Sequence, residues 1–198
     1  MKEKKKETAA SASHTSRIRQ HTKDIVLIAM FTALMAICAQ ITIPMPPPFV
    51  PFTLQTLAVF LAGSFLGMKR SIISITAYLL LGLVGVPVFA QFKGGLGALL
   101  GPTGGFIIGF VATAAIVGFF HDKWGDKIWV MVVAMALGLL ACYLFGTVWF
   151  IILYNQSKGG MDLWKALSIC VIPFLLFDAV KIIGASILSS RVHKIAKL

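Results

Sequence analysis

Charge is scarce in this chain, and acid is scarcer still. Of 198 residues, 13% are Asp, Glu, Lys or Arg and only 7 are acidic, against about 25% charged in an ordinary soluble domain. The four histidines, His14, His21, His121 and His193, all fall in the terminal segments or in the charged loop at 121–127. No apolar span holds two carboxylates, no Walker-type phosphate loop appears, and no His/Cys/Asp spacing suits a metal. These gaps argue against acid–base, metal or ATP-hydrolysing chemistry in the chain itself, and no cofactor is expected. Cys38, Cys142 and Cys170 stand alone within apolar runs without a Cys-x-x-Cys pair, so they read as core packing rather than a disulfide or zinc framework. A secretory signal is also lacking: the first apolar run follows 23 polar residues and has no small-residue cleavage pattern.

What fills the chain is apolar. Hydrophobic residues make up 58% and the mean hydropathy is +0.90. Runs long enough to cross a bilayer, about 20 helical residues each, lie at 24–43, 53–68, 71–89, 103–120, 128–154 and 167–189. The expected fold is an all-α integral membrane protein, a bundle of six transmembrane helices whose N and C termini are cytoplasmic. The second span is short, the fifth is long enough to tilt, and Pro173 is placed to kink the sixth.

Charge distribution sets the orientation. The net charge of +11 collects on one side of a six-span bundle: Lys2, Lys4, Lys5, Lys6, Arg17, Arg19 and Lys23 in the N-terminal tail, Lys69, Arg70, Lys123 and Lys127 in loops, and Arg191, Lys194 and Lys197 at the C-terminus. Only Lys93, Lys158 and Lys165 fall opposite. This is the positive-inside asymmetry of a multi-pass protein in the cell membrane. The basicity is thus topological, with the lipid bilayer as partner and no nucleic acid. Residues 1–23, Lys-rich and then Ser/Thr/Ala-rich, read as a basic disordered cytoplasmic tail, and 24–198 as one membrane domain.

Inside the apolar spans two charged residues stand out. Asp178 and Lys181 lie three apart in Phe174-Leu175-Leu176-Phe177-Asp178-Ala179-Val180-Lys181, on one helix face with Phe174 and Ala185. One ionised group at the centre of a membrane helix costs about 2.5–3.5 kcal/mol on insertion scales. Such a pair either bridges helices as a structural ion pair or anchors a polar substrate group. Two external loops are nearly uncharged and rich in Pro, Gly and Phe: Pro44 to Phe52, running on into Thr53-Leu54-Gln55, and Phe89 to Gly105. Both are expected to fold onto the mouth of the bundle. The second holds Gly94, Gly95, Gly97, Gly101, Gly104 and Gly105, whose amides can line an anion site ahead of a helix capped by Thr103. Ala29-x-x-x-Ala33 and Gly63-x-x-x-Gly67 have the spacing of close helix packing, the first being suited to a partner membrane protein.

Three segments together resemble the BioY family, the biotin-binding S components of energy-coupling factor (ECF) vitamin importers. They are Pro51-Phe52-Thr53-Leu54-Gln55-Thr56; the stretch from Tyr78-Leu79-Leu80-Leu81-Gly82 through Gly85-Val86-Pro87-Val88-Phe89-Ala90 to Gly101-Pro102-Thr103-Gly104-Gly105-Phe106; and Pro173-Phe174 with Asp178 and Lys181. The resemblance implies an S component that captures biotin at the external face. By analogy Asp178 and Lys181 hold the ureido ring, with Gln91 beside them. Tyr78, Phe89 and Phe92 form the apolar wall, the amides around Gly94 and Gly95 receive the valerate carboxylate, and Thr53 and Gln55 belong to a lid. Ala29 and Ala33 match the face that S components dock on a transmembrane coupling protein, which works with two ABC-type ATPases. The chain is then a transporter subunit without its own ATPase. The alternatives are a solitary ion-coupled carrier of a small anionic vitamin and an intramembrane enzyme using Asp178.

Overall fold

Spans that are apolar nearly all round can satisfy their backbone only as helices once water is removed. The computed structural model is built of them, and it describes residues 2–43, 50–157 and 159–196. In chain order the elements are α1 (Lys2–Gln40), the short strands β1 (Thr42–Ile43) and β2 (Phe52–Thr53), α2 (Gln55–Leu83), a 3-10 turn (Ala90–Phe92), α3 (Leu96–Leu99), α4 (Gly104–Trp124), α5 (Ile128–Ser157), α6 (Leu163–Cys170), a second 3-10 turn (Ile172–Phe174) and α7 (Leu175–Ala196). The strands pair antiparallel, Thr42 opposite Thr53 and Ile43 opposite Phe52. Among the described residues five stretches are long and apolar enough to cross a membrane: Ile18–Gln40, Gln55–Leu83, Gly104–Trp124, Ile128–Gln156 and Leu163–Ile195. Their outer sides expose Ile25, Leu80, Leu144 and Val180, side chains suited to lipid.

Three of these stretches depart from the expected spans for local reasons. Spans 53–68 and 71–89 share one element, α2, which is broken at Gly67 (φ 73°, ψ 178°), a conformation that glycine alone takes without strain. Asp122 of α4 closes the break: its carboxylate accepts the Met68 N–H at 3.0 Å, capping the second half of α2 from a neighbouring helix. That half stops at Leu83, short of 89, because the Val84 and Gly85 amides turn back onto Leu80 and Gly82. The stretch around span 167–189 is interrupted at Val171–Phe174, where Pro173 lacks an N–H, and then runs on to Ala196. Helix α1 begins at Lys2, well ahead of the span expected from 24. Lys, Glu and Ala are good helix formers, and the membrane segment that follows supplies a turn from which the helix extends.

Lipid gives no hydrophobic drive to helix association, so contact rests on close approach and interhelical hydrogen bonds. Helix α4 sits between α2 and α5 and makes its broadest contacts with them. A Cβ placed on Gly63 would lie 2.7 Å from Val117 Cβ, one on Gly118 2.5 Å from Met68 Cα, and one on Gly109 3.0 Å from Cys142 Cα. The Gly63-x-x-x-Gly67 pattern is therefore internal packing. Hydroxyls add stitches: Ser71 Oγ donates to Ala114 O at 3.2 Å, Thr113 Oγ1 to Gly138 O at 2.8 Å, and Thr32 Oγ1 to Ser74 O at 3.1 Å. Gly118→Leu should lower stability in detergent by about 1–3 kcal/mol, the range for overpacking. Gly184→Ala, where a Cβ meets nothing within 4 Å, should leave it unchanged. Equal thermal melting of the two variants would contradict this packing.

Candidate functional site

The break before α7 brings Asp178 and Lys181 to the head of that helix, where the ends of other elements converge. Both are buried, at 2% and 8% exposure. Lys181 Nζ donates to Asp178 Oδ1 at 2.8 Å, Thr56 Oγ1 at 2.9 Å and Thr53 O at 2.8 Å, which uses all three ammonium protons. It also stands 4.2 Å from the centroid of the Phe52 ring. Thr56 passes its own proton to Asp178 Oδ1 at 3.1 Å, and the Tyr143 hydroxyl donates to Asp178 Oδ2 at 2.6 Å. The ion pair itself lies within α7, while Thr53, Thr56 and Tyr143 extend it to β2, α2 and α5. It binds the bundle together and faces a cavity as well.

That cavity measures about 520 Å³, within the 300–1,000 Å³ usual for small-ligand sites. Asp178, Lys181, Tyr143, Thr53, Gln55 and Thr56 form its polar end. Phe89, Phe106, Ile107, Phe110, Phe150 and Phe174 give it an apolar wall, and Gln91, Lys93 and Thr103 stand on the loop side. Phe52 stacks on Phe174 (centroids 6.3 Å, 10°), which holds β2 against the head of α7. Val50 and Pro51 of the first loop also line the space. Residues 44–49 of that loop lie outside the described residues.

Of the expected site residues, Asp178, Lys181, Gln91, Phe89, Thr53 and Gln55 meet at this cavity. Tyr78 does not reach it. It is fully buried behind the wall, where it accepts from Gln55 Nε2 at 2.8 Å and donates to Val88 O at 3.1 Å, linking the two loops. Its ring meets Phe89 edge-on at 5.5 Å. Phe92 is 73% exposed and outside the lining, because Gln91 and Phe92 both adopt left-handed backbone (φ 62° and 55°), turning that ring away. Gly94 and Gly95 are also outside it. The Gly95 amide, expected to receive an anion, is donated to Gly82 O at 2.7 Å, and a Cβ on Gly94 would lie 2.6 Å from Val86 O. These glycines fold the loop down. Thr103 precedes α4 but makes no side-chain cap. Ala29 and Ala33 are exposed on α1, remote from the cavity.

Several site residues carried weaker signals. Thr56 and Tyr143 are hydroxyls within apolar spans, where such groups usually bond their own helix. Lys93 is the only charged residue between Arg70 and Asp122, which marks it as a candidate anion partner. Gln40, at the end of α1, fixes the strained turn. Its Nε2 donates to Phe89 O at 3.2 Å and Pro87 O at 3.4 Å, and its Oε1 accepts the Phe92 N–H at 3.0 Å. Left-handed non-glycine residues cost on the order of 1–3 kcal/mol each unless their surroundings impose them.

An apolar chamber with one buried, cross-linked charge pair at its end, enclosed by membrane helices, defines a membrane substrate-binding protein. Comparison with known proteins agrees. The sequence model of the BioY family matches residues 5–198. "Biotin transporter BioY" of Thermotoga maritima is 38% identical over 173 residues, covering 87% of this chain and 97% of the relative. "Probable biotin transporter BioY" of Pyrococcus horikoshii is 39% identical over 171 residues, covering 86% and 96%. The crystal structure of the S-component for biotin from an ECF-type ABC transporter superposes with a TM-score of 0.79 at 30% identity, over 89% of this chain and 93% of that one. The chain belongs to the BioY family. It is a multi-pass membrane protein of a transporter family, and the enzyme alternative falls.

Gln40→Ala should leave the melting temperature of the bundle within a few degrees of wild type. Amide exchange across residues 87–93 should rise roughly ten- to a hundredfold as about 1–3 kcal/mol of local restraint is lost. Unchanged exchange there would show that Gln40 does not hold the turn.

Proposed function

We propose that this chain is the biotin-binding S component of an ECF-type importer, receiving biotin at the external face and delivering it inward with a separate energising module. The observation that carries the reading is the buried Asp178–Lys181 pair at the end of an apolar chamber. A ureido ring is neutral and offers two N–H donors beside a carbonyl acceptor. Asp178 supplies acceptors, while Lys181, Thr56 and Tyr143 supply donors that a ligand can claim by exchanging existing bonds. Gln91 can add an amide to the same ring. The aromatic wall suits the sulfur ring and the valeryl chain. Lys93, rather than the amides of Gly94 and Gly95, is the natural partner for the carboxylate at the loop side of the chamber. Because Lys181 is also bonded to Thr53 O, a ligand carbonyl that takes this proton releases the tie to the first loop.

The remaining parts of the reading rest on sequence and surface. Six spans, counted by dividing α2 at Gly67, place both termini on the Lys/Arg-rich, cytoplasmic side. Residues 24–198 then form the substrate-binding unit, and 1–23 a basic cytoplasmic tail. Exposed Ala29 and Ala33 on α1 offer a close-packing face to a transmembrane coupling protein, through which two ABC-type ATPases supply the energy.

The test is equilibrium biotin binding by the purified chain without ATP or an ion gradient. Asp178→Asn and Lys181→Met should each weaken binding by at least about 100-fold, as expected for hydrogen bonds to charged groups. The double variant guards against misreading instability, since a lone buried charge costs about 3–5 kcal/mol whereas removing both does not. A folded double variant with wild-type affinity would overturn the assignment. Ala29→Leu with Ala33→Leu should keep that affinity yet abolish uptake by cells that contain the coupling proteins.

A further inference from the structure

Substrate capture leaves unused a second set of polar groups at the opposite end of the bundle. It lies roughly 22 Å along α7 from Asp178, at about 1.5 Å per helical residue. His121 is in the last turn of α4, Asp126 in the turn to α5, and His193 near the end of α7. One ligand-capable atom from each lies within 4.8 Å of the other two. His121 Nδ1 is 2.6 Å from Asp126 Oδ1, and His193 Nδ1 is 3.7 Å from Asp126 Oδ2. The two rings approach to 5.3 Å between centroids.

Three features set this cluster apart from an ordinary surface ion pair. First, His121 Nδ1 and Asp126 Oδ1 are buried, yet neither has a hydrogen bond of acceptable geometry, although they face each other. A cation ligated by both, once the gap opens to the roughly 3.3 Å that separates two ligands of one tetrahedral ion, satisfies them where a misaligned proton does not. Second, the ligand-bearing groups are braced. Ser190 Oγ donates to Asp126 O at 2.6 Å, His193 stacks on Phe65 (5.1 Å, 11°), and His193 Nδ1 lies 2.9 Å from Ser189 O. Third, the neighbouring cations are directed elsewhere. Lys123 Nζ lies over the Phe119 and Trp124 rings at 5.6 and 4.7 Å, while Lys127, Arg191 and Lys194 are exposed.

We propose that His121, Asp126 and His193 form a binding site for a divalent transition-metal ion of the Zn²⁺ class, which clamps α4, the α4–α5 turn and α7 together at the end away from the substrate. Two imidazoles and one carboxylate suit Zn²⁺, Co²⁺ or Ni²⁺ with a further position open to water, whereas Ca²⁺ and Mg²⁺ prefer all-oxygen sets. The sequence hides this site because His193 reaches the other two only through the fold. Occupancy would fix the far end of the helix that carries Asp178 and Lys181.

The experiment titrates purified, metal-stripped full-length protein in detergent with Co²⁺, read by visible absorption, followed by Zn²⁺ competition and thermal melting. One ion per chain should bind saturably and raise the melting temperature. His121→Ala with His193→Ala should weaken binding by at least about 100-fold, as should Asp126→Asn, which keeps the side-chain shape and the backbone contact to Ser190. His14→Ala with His21→Ala should have no effect. Biotin binding reports that each variant is folded. Absence of saturable Co²⁺ binding to wild type overturns the site, as does equal binding by folded Asp126→Asn protein.

Discussion

A carboxylate and an ammonium held away from water at the head of α7 set the terms for everything around them. Neither charge is tolerable alone in an apolar bundle, so the fold must bring partners to both. It does so from three other places: the backbone of β2, a hydroxyl near the start of α2, and a phenol on α5. Each of those elements is therefore fixed relative to α7 by a group that also faces the cavity. The broken helix before α7 follows the same requirement. Pro173 interrupts the span so that Asp178 falls in a first turn, where the helix dipole favours an anion.

The rest of the bundle makes such a site possible by being tight elsewhere. Glycines on α2 and α4 bring those helices to backbone contact, and Gly67 lets α2 break where Asp122 can cap it. Aromatic side chains from α4, α5 and the loops then fill the loop-side half without closing it. Two loops complete the chamber, and they are joined behind the wall through Thr53, Gln55, Tyr78 and Val88. Gln40 ties the second loop to α1, so the helix that presents Ala29 and Ala33 also braces the turn carrying Gln91. A ligand that rearranges this turn changes the end of α1, which gives a physical route between the cavity and the outward face of that helix.

The parts of this arrangement that follow from composition were legible in the sequence. Apolar length revealed the membrane segments, and the cost of buried charge singled out Asp178 and Lys181. Pro173 marked its own interruption. Direction was the hidden variable elsewhere. Glycine at 94 and 95 signals a pliable backbone but does not say where the amides point, and at Gly95 the amide is spent on Gly82. Phe92 and Phe89 look alike in sequence, yet a left-handed turn exposes one and buries the other. Tyr143 and Thr56 were missed because a hydroxyl in a membrane span is most often bonded to its own helix.

On the proposed function the buried pair recognises a ureido group as well as bracing the bundle. Titrating the wild-type chain with biotin and with a diamino analogue lacking the ureido carbonyl tests it most directly, because the protein is left untouched. The analogue should bind at least about 100-fold more weakly, a difference of about 2.7 kcal/mol. Equal affinity for the two would contradict it, leaving Asp178 and Lys181 as structural supports of a chamber that selects its ligand by other means.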